Sequence, residues 1–133
     1  MKNKSQDKFE KKSFKRFMLS FKYCFEGLKY AFYHEKNIFI MIIVAILAII
    51  CGLVFKTSYV ESLILVVLIG VTLAAEMLNT AVEECVNLVT HEKKQDAKNA
   101  KDAAGGAVGI LVIFDIIIGL LIFIPKIISY FRG

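Results

Sequence analysis

Residues 38–55, IFIMIIVAILAIICGLVF, are 18 consecutive positions without a charge and almost without a polar atom. A helix needs about 20 such residues to cross the hydrocarbon core of a bilayer. This run constrains the chain more than any other feature: once it is in lipid, every backbone N–H and C=O must be satisfied within its own segment, so the segment is a helix and not an isolated strand. Two further runs extend the pattern. Residues 63–75, LILVVLIGVTLAA, are short for a span but continue without a helix breaker through residue 88, and residues 105–124, GGAVGILVIFDIIIGLLIFI, make a third stretch ended by Pro125 and Lys126. The expected fold is an all-α membrane protein with membrane helices over 38–55, 63–88 and 105–124. A 57% hydrophobic composition with one proline agrees with that class.

At 133 residues the chain reads as a single domain. Its opening, MKNKSQDKFEKKSFKRF, has mixed charge and no apolar core before a small-residue cleavage site, so it reads as a polar tail over 1–12 and not as a secretory signal. Between Phe14 and Tyr33, apolar Phe14, Phe17, Met18, Phe21, Phe25, Leu28 and Phe32 recur at spacings of three and four, while Lys15, Lys22, Glu26 and Lys29 fill another face. That is a basic amphipathic helix over 14–35, suited to an anionic membrane surface. Lys and Arg number ten in residues 1–37, one at Lys56, four in the 90–102 connection and two at the end. The positive-inside rule therefore places the N-terminus and the 90–102 loop in the cytoplasm and the C-terminus outside, in a multi-pass protein of the cell membrane. Cys24, Cys51 and Cys85 are odd in number and scattered through helical pattern, which suits reduced packing residues. His34 and His91 lie far from any cysteine pair with zinc spacing.

The stretch AEMLNTAVEECVN, residues 75–87, sets carboxylates and carboxamides directly after an apolar run. On a helix Glu76, Asn79 and Glu83 stand at i, i+3 and i+7 and project from one side, with Glu84 and Asn87 off that line. Acids at membrane depth are expensive and mark function more often than stability. A solvated helix end explains Glu84 but not Glu76. His34-Glu35 and Lys101-Asp102 fall on the same membrane side by the topology above. Acids, a lysine and carboxamides together are hard oxygen donors with a phosphate-binding cation, a set that suits Mg²⁺ bridging nucleotide phosphates. No GxxxxGK[ST] is present, so a P-loop is excluded. Glycines 105, 106 and 109 favour close helix packing over phosphate cradling.

Three stretches carry a resemblance: EGLKYAFYHEKN (26–37), AEMLNTAVE (75–83) and AKDAAGGAV (100–108). With their spacing around three apolar spans, they make the chain similar to the small prokaryotic diacylglycerol kinase and undecaprenol kinase family across nearly its whole length. The resemblance implies a homotrimer with a surface helix and three spans per chain, moving the γ-phosphoryl group of MgATP to a lipid alcohol at the cytoplasmic interface. It implies Glu76 as general base, Glu35 and Glu83 as metal-binding residues that also meet the nucleotide, and Asn79, Lys101 and Asp102 as residues that contact nucleotide or order the site. Arg16 and Tyr23 match residues of the surface helix that approach the nucleotide; for Arg16 a snorkelling cation is the competing reading. Physical logic agrees, since Glu76 is nearest the apolar run and Glu83 lies closer to water. Asn87 stands where many relatives have Asp, and Asp115 where relatives usually have an apolar residue. Asp115 lies about 20 Å beyond Asp102 along a helix. The apolar start KNIFIMIIV and the ending IGLLIFIPKI resemble undecaprenol kinases of Gram-positive type, with diacylglycerol the alternative substrate; residue physics alone separates neither. No nucleic-acid partner is implied. A proton-coupled transporter would need acids near midplane in at least two spans, where only Asp115 fits, and an assembly subunit would need no base.

Overall fold

The computed structural model describes residues 4–92 and 94–132, with side chains from Ser13 onward. Four helices follow in order: α1 (Lys4–His34), α2 (Lys36–Val54), α3 (Tyr59–Val89) and α4 (Gln95–Arg132), with no strand among the described residues. α1 is one compact unit and α2–α4 are another.

α1 begins ten residues before the expected start, inside the segment read as a polar tail. Nothing in KSQDKFEKK breaks a helix, and Lys, Gln and Glu are good formers, so the helical pattern runs back into it. Side chains before Ser13 lie outside the described residues. Phe14, Phe17, Met18, Phe21 and Phe25 are all exposed.

α2 covers the 38–55 run almost as read, and its 19 residues rise about 28 Å, close to the hydrocarbon thickness. It ends in a Schellman motif: Lys56 takes the left-handed conformation (φ 51°), and the Thr57 N–H reaches back to the Gly52 carbonyl at 2.9 Å. The Thr57 hydroxyl closes on the same turn, bonding the Gly52 carbonyl at 3.2 Å and the Ser62 hydroxyl at 2.9 Å. A lysine at this position carries a Cβ penalty that glycine avoids. Lys56→Gly is therefore expected to stabilise the protein by ~1 kcal/mol, read as a raised unfolding midpoint in detergent; an unchanged or lowered midpoint would refute the strain.

α3 starts four residues before the expected 63, because Ser58 and Glu61 form a capping box. The Glu61 carboxylate accepts from the Ser58 N–H at 2.6 Å and pairs with Lys126 of α4 at 2.9 Å. At 31 residues, or about 46 Å, α3 is longer than a bilayer core, so it crosses and projects beyond.

α4 differs most from expectation. It begins at Gln95, ten residues before the glycine pair, and continues through Pro125 to Arg132. The residues that looked like a loop, including Lys98, Lys101 and Asp102, occupy its first turns. Four alanines between 97 and 104 sustain helix, and two glycines at about 1 kcal/mol each do not outweigh them. Pro125 removes one hydrogen bond, the donor to the Leu121 carbonyl, a loss that membrane helices tolerate.

α3 and α4 form the main seam, and α2 packs on α3. The outward surfaces of the three spans are apolar and exposed, with Ile40, Val44, Val66, Ile113 and Leu121 all outside the core. Three helices of this length and composition, with apolar surfaces turned outward, make this a membrane protein.

Candidate active site

The inward stripe of α3 is polar where it should be most apolar. Leu65, Thr72, Glu76, Asn79 and Thr80 are its buried residues, all within one side of the helix. Glu76 is 2% exposed, the most enclosed large side chain described, and its Oε1 has no hydrogen-bond partner. The Oδ1 of Asn79 is likewise buried and unpartnered. Asn79 donates from Nδ2 to Glu83 Oε1 at 3.3 Å, and the Thr80 hydroxyl donates to the Glu76 carbonyl at 3.1 Å. Leaving a buried acceptor unsatisfied costs about 1–3 kcal/mol, more when it is charged, so two orphaned oxygens a turn apart are a feature that stability does not explain. The expected line Glu76–Asn79–Glu83 is thus assembled, graded from fully enclosed Glu76 to half-buried Glu83.

α4 supplies the opposing wall. Lys101 is half-buried and donates from Nζ to Asn87 Oδ1 at 2.8 Å, which fixes the lysine against the end of α3. Asn87, off the Glu76–Asn79–Glu83 line, is the residue that holds this lysine. Asp102 makes no bond to that pair: it is exposed and pairs with Lys98 of its own helix at 3.8 Å. Of the three glycines expected to allow close packing, only Gly105 faces α3, where an added Cβ would lie 3.9 Å from Asn79 Oδ1, an ordinary contact; Gly106 and Gly109 meet nothing within 4 Å.

Glu35 is the single residue between α1 and α2, half-buried, with an extended backbone (φ −108°, ψ 111°). It occupies the N-cap position of α2 without its side chain making a cap bond, so its carboxylate is not committed to the helix end. Arg16 and Tyr23 are exposed on α1.

Beside Lys101 lies a polar cavity of about 530 Å³ between the end of α3 and the start of α4. His91, Glu92, Lys98 and Asp102 share its wall with Asn87 and Lys101. Its lysines are partly offset by acids, Lys94 pairing with Glu92 and Lys98 with Asp102, which leaves Lys101, among the described residues, as the cation of this wall outside an ion pair. Neither His91 nor Lys98 carries a functional signal in the sequence; only the folding of 95–102 as helix, with Lys98, Lys101 and Asp102 spaced i, i+3 and i+4, brings them around one concavity.

Helical spans with a carboxylate-bearing face along the α3–α4 seam define a membrane protein with a polar site set into its helices. The sequence profile of the family described as prokaryotic diacylglycerol kinase matches residues 22–123. An undecaprenol kinase of Bacillus subtilis is 40% identical over 111 residues, covering 84% of this chain and 90% of that protein. A diacylglycerol kinase of Synechocystis sp. is 29% identical over 113 residues, covering 84% of this chain and 65% of that protein. The chain belongs to the prokaryotic diacylglycerol kinase family, and it is a kinase.

Phosphoryl transfer from a nucleotide uses a divalent cation to neutralise phosphate charge. No group of three or more His, Cys, Asp or Glu side chains converges among the described residues, so no protein-only cage exists there. Mg²⁺ does not need one, since it is usually held by one or two carboxylates and substrate phosphates. Glu83, the uncommitted carboxylate of Glu35 and the orphaned Asn79 Oδ1 are hard oxygen donors of that kind.

Proposed function

We propose that this protein transfers the γ-phosphoryl group of ATP to a lipid alcohol at the cytoplasmic face of the cell membrane, with undecaprenol the preferred acceptor. The observation that carries the reading is Glu76: a carboxylate enclosed at the membrane end of a polar face, with one oxygen free of any partner. An acid so placed is shielded from bulk solvent and keeps an acceptor oxygen unused, so it is suited to accept a proton from a hydroxyl arriving through the bilayer. As that hydroxyl oxygen bonds to the γ-phosphorus, the bond from phosphorus to the β,γ-bridging oxygen breaks, the proton passes to Glu76, and ADP leaves.

Charge and position do the remaining work in phosphoryl transfer. Lys101, held by Asn87, presents a fixed cation to the phosphates, and Asn79 orients Glu83. Mg²⁺ bound with the nucleotide would neutralise phosphate charge, with Glu35 and Glu83 as its protein ligands. Asp102 orders Lys98 at the cavity rim, and Arg16 and Tyr23 of α1 contribute to nucleotide contact. α1 lies on the anionic inner leaflet by its exposed aromatic residues and lysines, the N-terminus and the 90–102 connection are cytoplasmic, and the C-terminus is outside. The chain acts as one domain within a homotrimer.

The greater identity and more complete coverage of the undecaprenol kinase favour that acceptor. Purified protein in detergent, given MgATP and either undecaprenol or diacylglycerol, is expected to phosphorylate both lipids, with the larger kcat/KM for undecaprenol. Transfer to neither lipid by folded protein would overturn the proposal, and a preference for diacylglycerol would overturn its finer part.

A further inference from the structure

Asp115 lies outside the face described above and is spent on something else. It projects from the middle of the third span, where a carboxylate costs about 3 kcal/mol to insert. Its Oδ2 accepts from the Thr72 hydroxyl of α3 at 2.7 Å, and its Oδ1 is buried without a partner. Thr72 precedes Glu76 by one helical turn on the same buried stripe.

This bond is the middle of three polar links along the α3–α4 seam. Asn87–Lys101, Thr72–Asp115 and Glu61–Lys126 are all centred on residues 93–94 of the chain, so one antiparallel register satisfies all three. On α4, Lys101, Val108, Asp115 and Ile122 recur at intervals of seven, with Val108 and Ile122 buried. Local packing does not explain why the middle link is polar. An apolar cavity of about 430 Å³ lies between α2, α3 and α4 at this depth, and Thr72 and Asp115 stand in its wall beside Leu65, Met41 and Phe123. Where side chains are not interdigitated, helices slide at little expense, because register in lipid depends on packing and interhelical hydrogen bonds. Glu76 itself has no described hydrogen bond from its free oxygen to hold it.

We infer that Asp115 is a positioning residue: through Thr72 it sets the axial register of α4 against α3 one turn from Glu76, and so the depth at which Glu76 meets the lipid hydroxyl. The inference rests on Glu76 being the proton acceptor. It requires an acceptor oxygen at Asp115 and no charge, so Asn serves there and Leu does not. The Asn87–Lys101 link still ties α4 to α3 where the nucleotide would bind, so loss of the middle link loosens the seam locally around Thr72 and Glu76 and is expected to leave nucleotide affinity nearly unchanged.

The test compares Thr72→Val, Asp115→Leu and Asp115→Asn in lipid vesicles, with rates normalised to bound nucleotide analogue. Thr72→Val and Asp115→Leu are expected to lower kcat by roughly tenfold, since ångström-scale displacement of a reacting group costs up to about a hundredfold, while KM for MgATP stays within about twofold. Asp115→Asn is expected to keep most of the wild-type rate. Spin labels at positions 71 and 116, in a background lacking the native cysteines, give a readout independent of activity: their distance distribution should broaden in Asp115→Leu and stay narrow in Asp115→Asn. Wild-type kcat in both disruptive variants overturns the inference, as does a fall in kcat matched by a rise in KM, or an Asn variant as impaired as Leu. If the wild type transfers nothing to lipid, the kinase reading fails on its own account, and an unchanged label distance in Asp115→Leu overturns the register lock independently.

Discussion

Glu76→Gln is expected to lower turnover by roughly 10²–10⁴ while leaving MgATP binding and assembly intact, the usual contribution of a positioned general base. Glutamine keeps the volume of the most enclosed side chain on α3 and one acceptor oxygen, so the seam with α4 should survive. What it removes is the ability to take a proton. A structural role predicts the opposite pattern, with a lowered unfolding midpoint and nucleotide affinity falling with rate. Turnover and MgATP affinity measured on one preparation separate the two, and a variant with near-normal turnover removes Glu76 from the mechanism.

The second large effect is expected at the two acids proposed to bind Mg²⁺. Glu83→Gln and Glu35→Gln should each raise the Mg²⁺ concentration for half-maximal rate at least tenfold, because even residues behind a metal ligand change affinity by about 10–100-fold, and these would be ligands themselves. Glu83→Gln should be the more disruptive, because the amide can no longer accept from Asn79 in two equivalent ways and turns its NH₂ toward the site. An unchanged Mg²⁺ response in either variant strikes that residue from the ligand set. Activity lost with the Mg²⁺ response intact would assign it to nucleotide or fold instead.

Much of this protein is legible in its residues alone, and for a definite reason. The apolar runs and the polar line Glu76, Asn79, Glu83 are expressions of helical periodicity, which depends only on the residues within one segment. Lipid strengthens that reading by excluding every other backbone form from an isolated span. The start of α3 is legible too, in the Ser58–Glu61 capping box, but the polar residues around it mask the signal. The extent of α4 is less so. Loop and helix compete closely over 95–104, where charges and glycines suggest a connection and alanines favour continuation.

What the sequence by itself determined, then, is the class: helices long enough to cross a membrane, and one acidic face at the end of the second. The tertiary structure decided which residues of α4 meet that face. Lys101 finds Asn87 across 14 residues of chain, Asp115 finds Thr72 across 43, and Lys126 finds Glu61 at the far end, while Asp102, equally polar and next to Lys101 in sequence, pairs within its own helix with Lys98. No local periodicity encodes those choices. They follow from the register in which two long antiparallel helices pack, which is a property of both helices together.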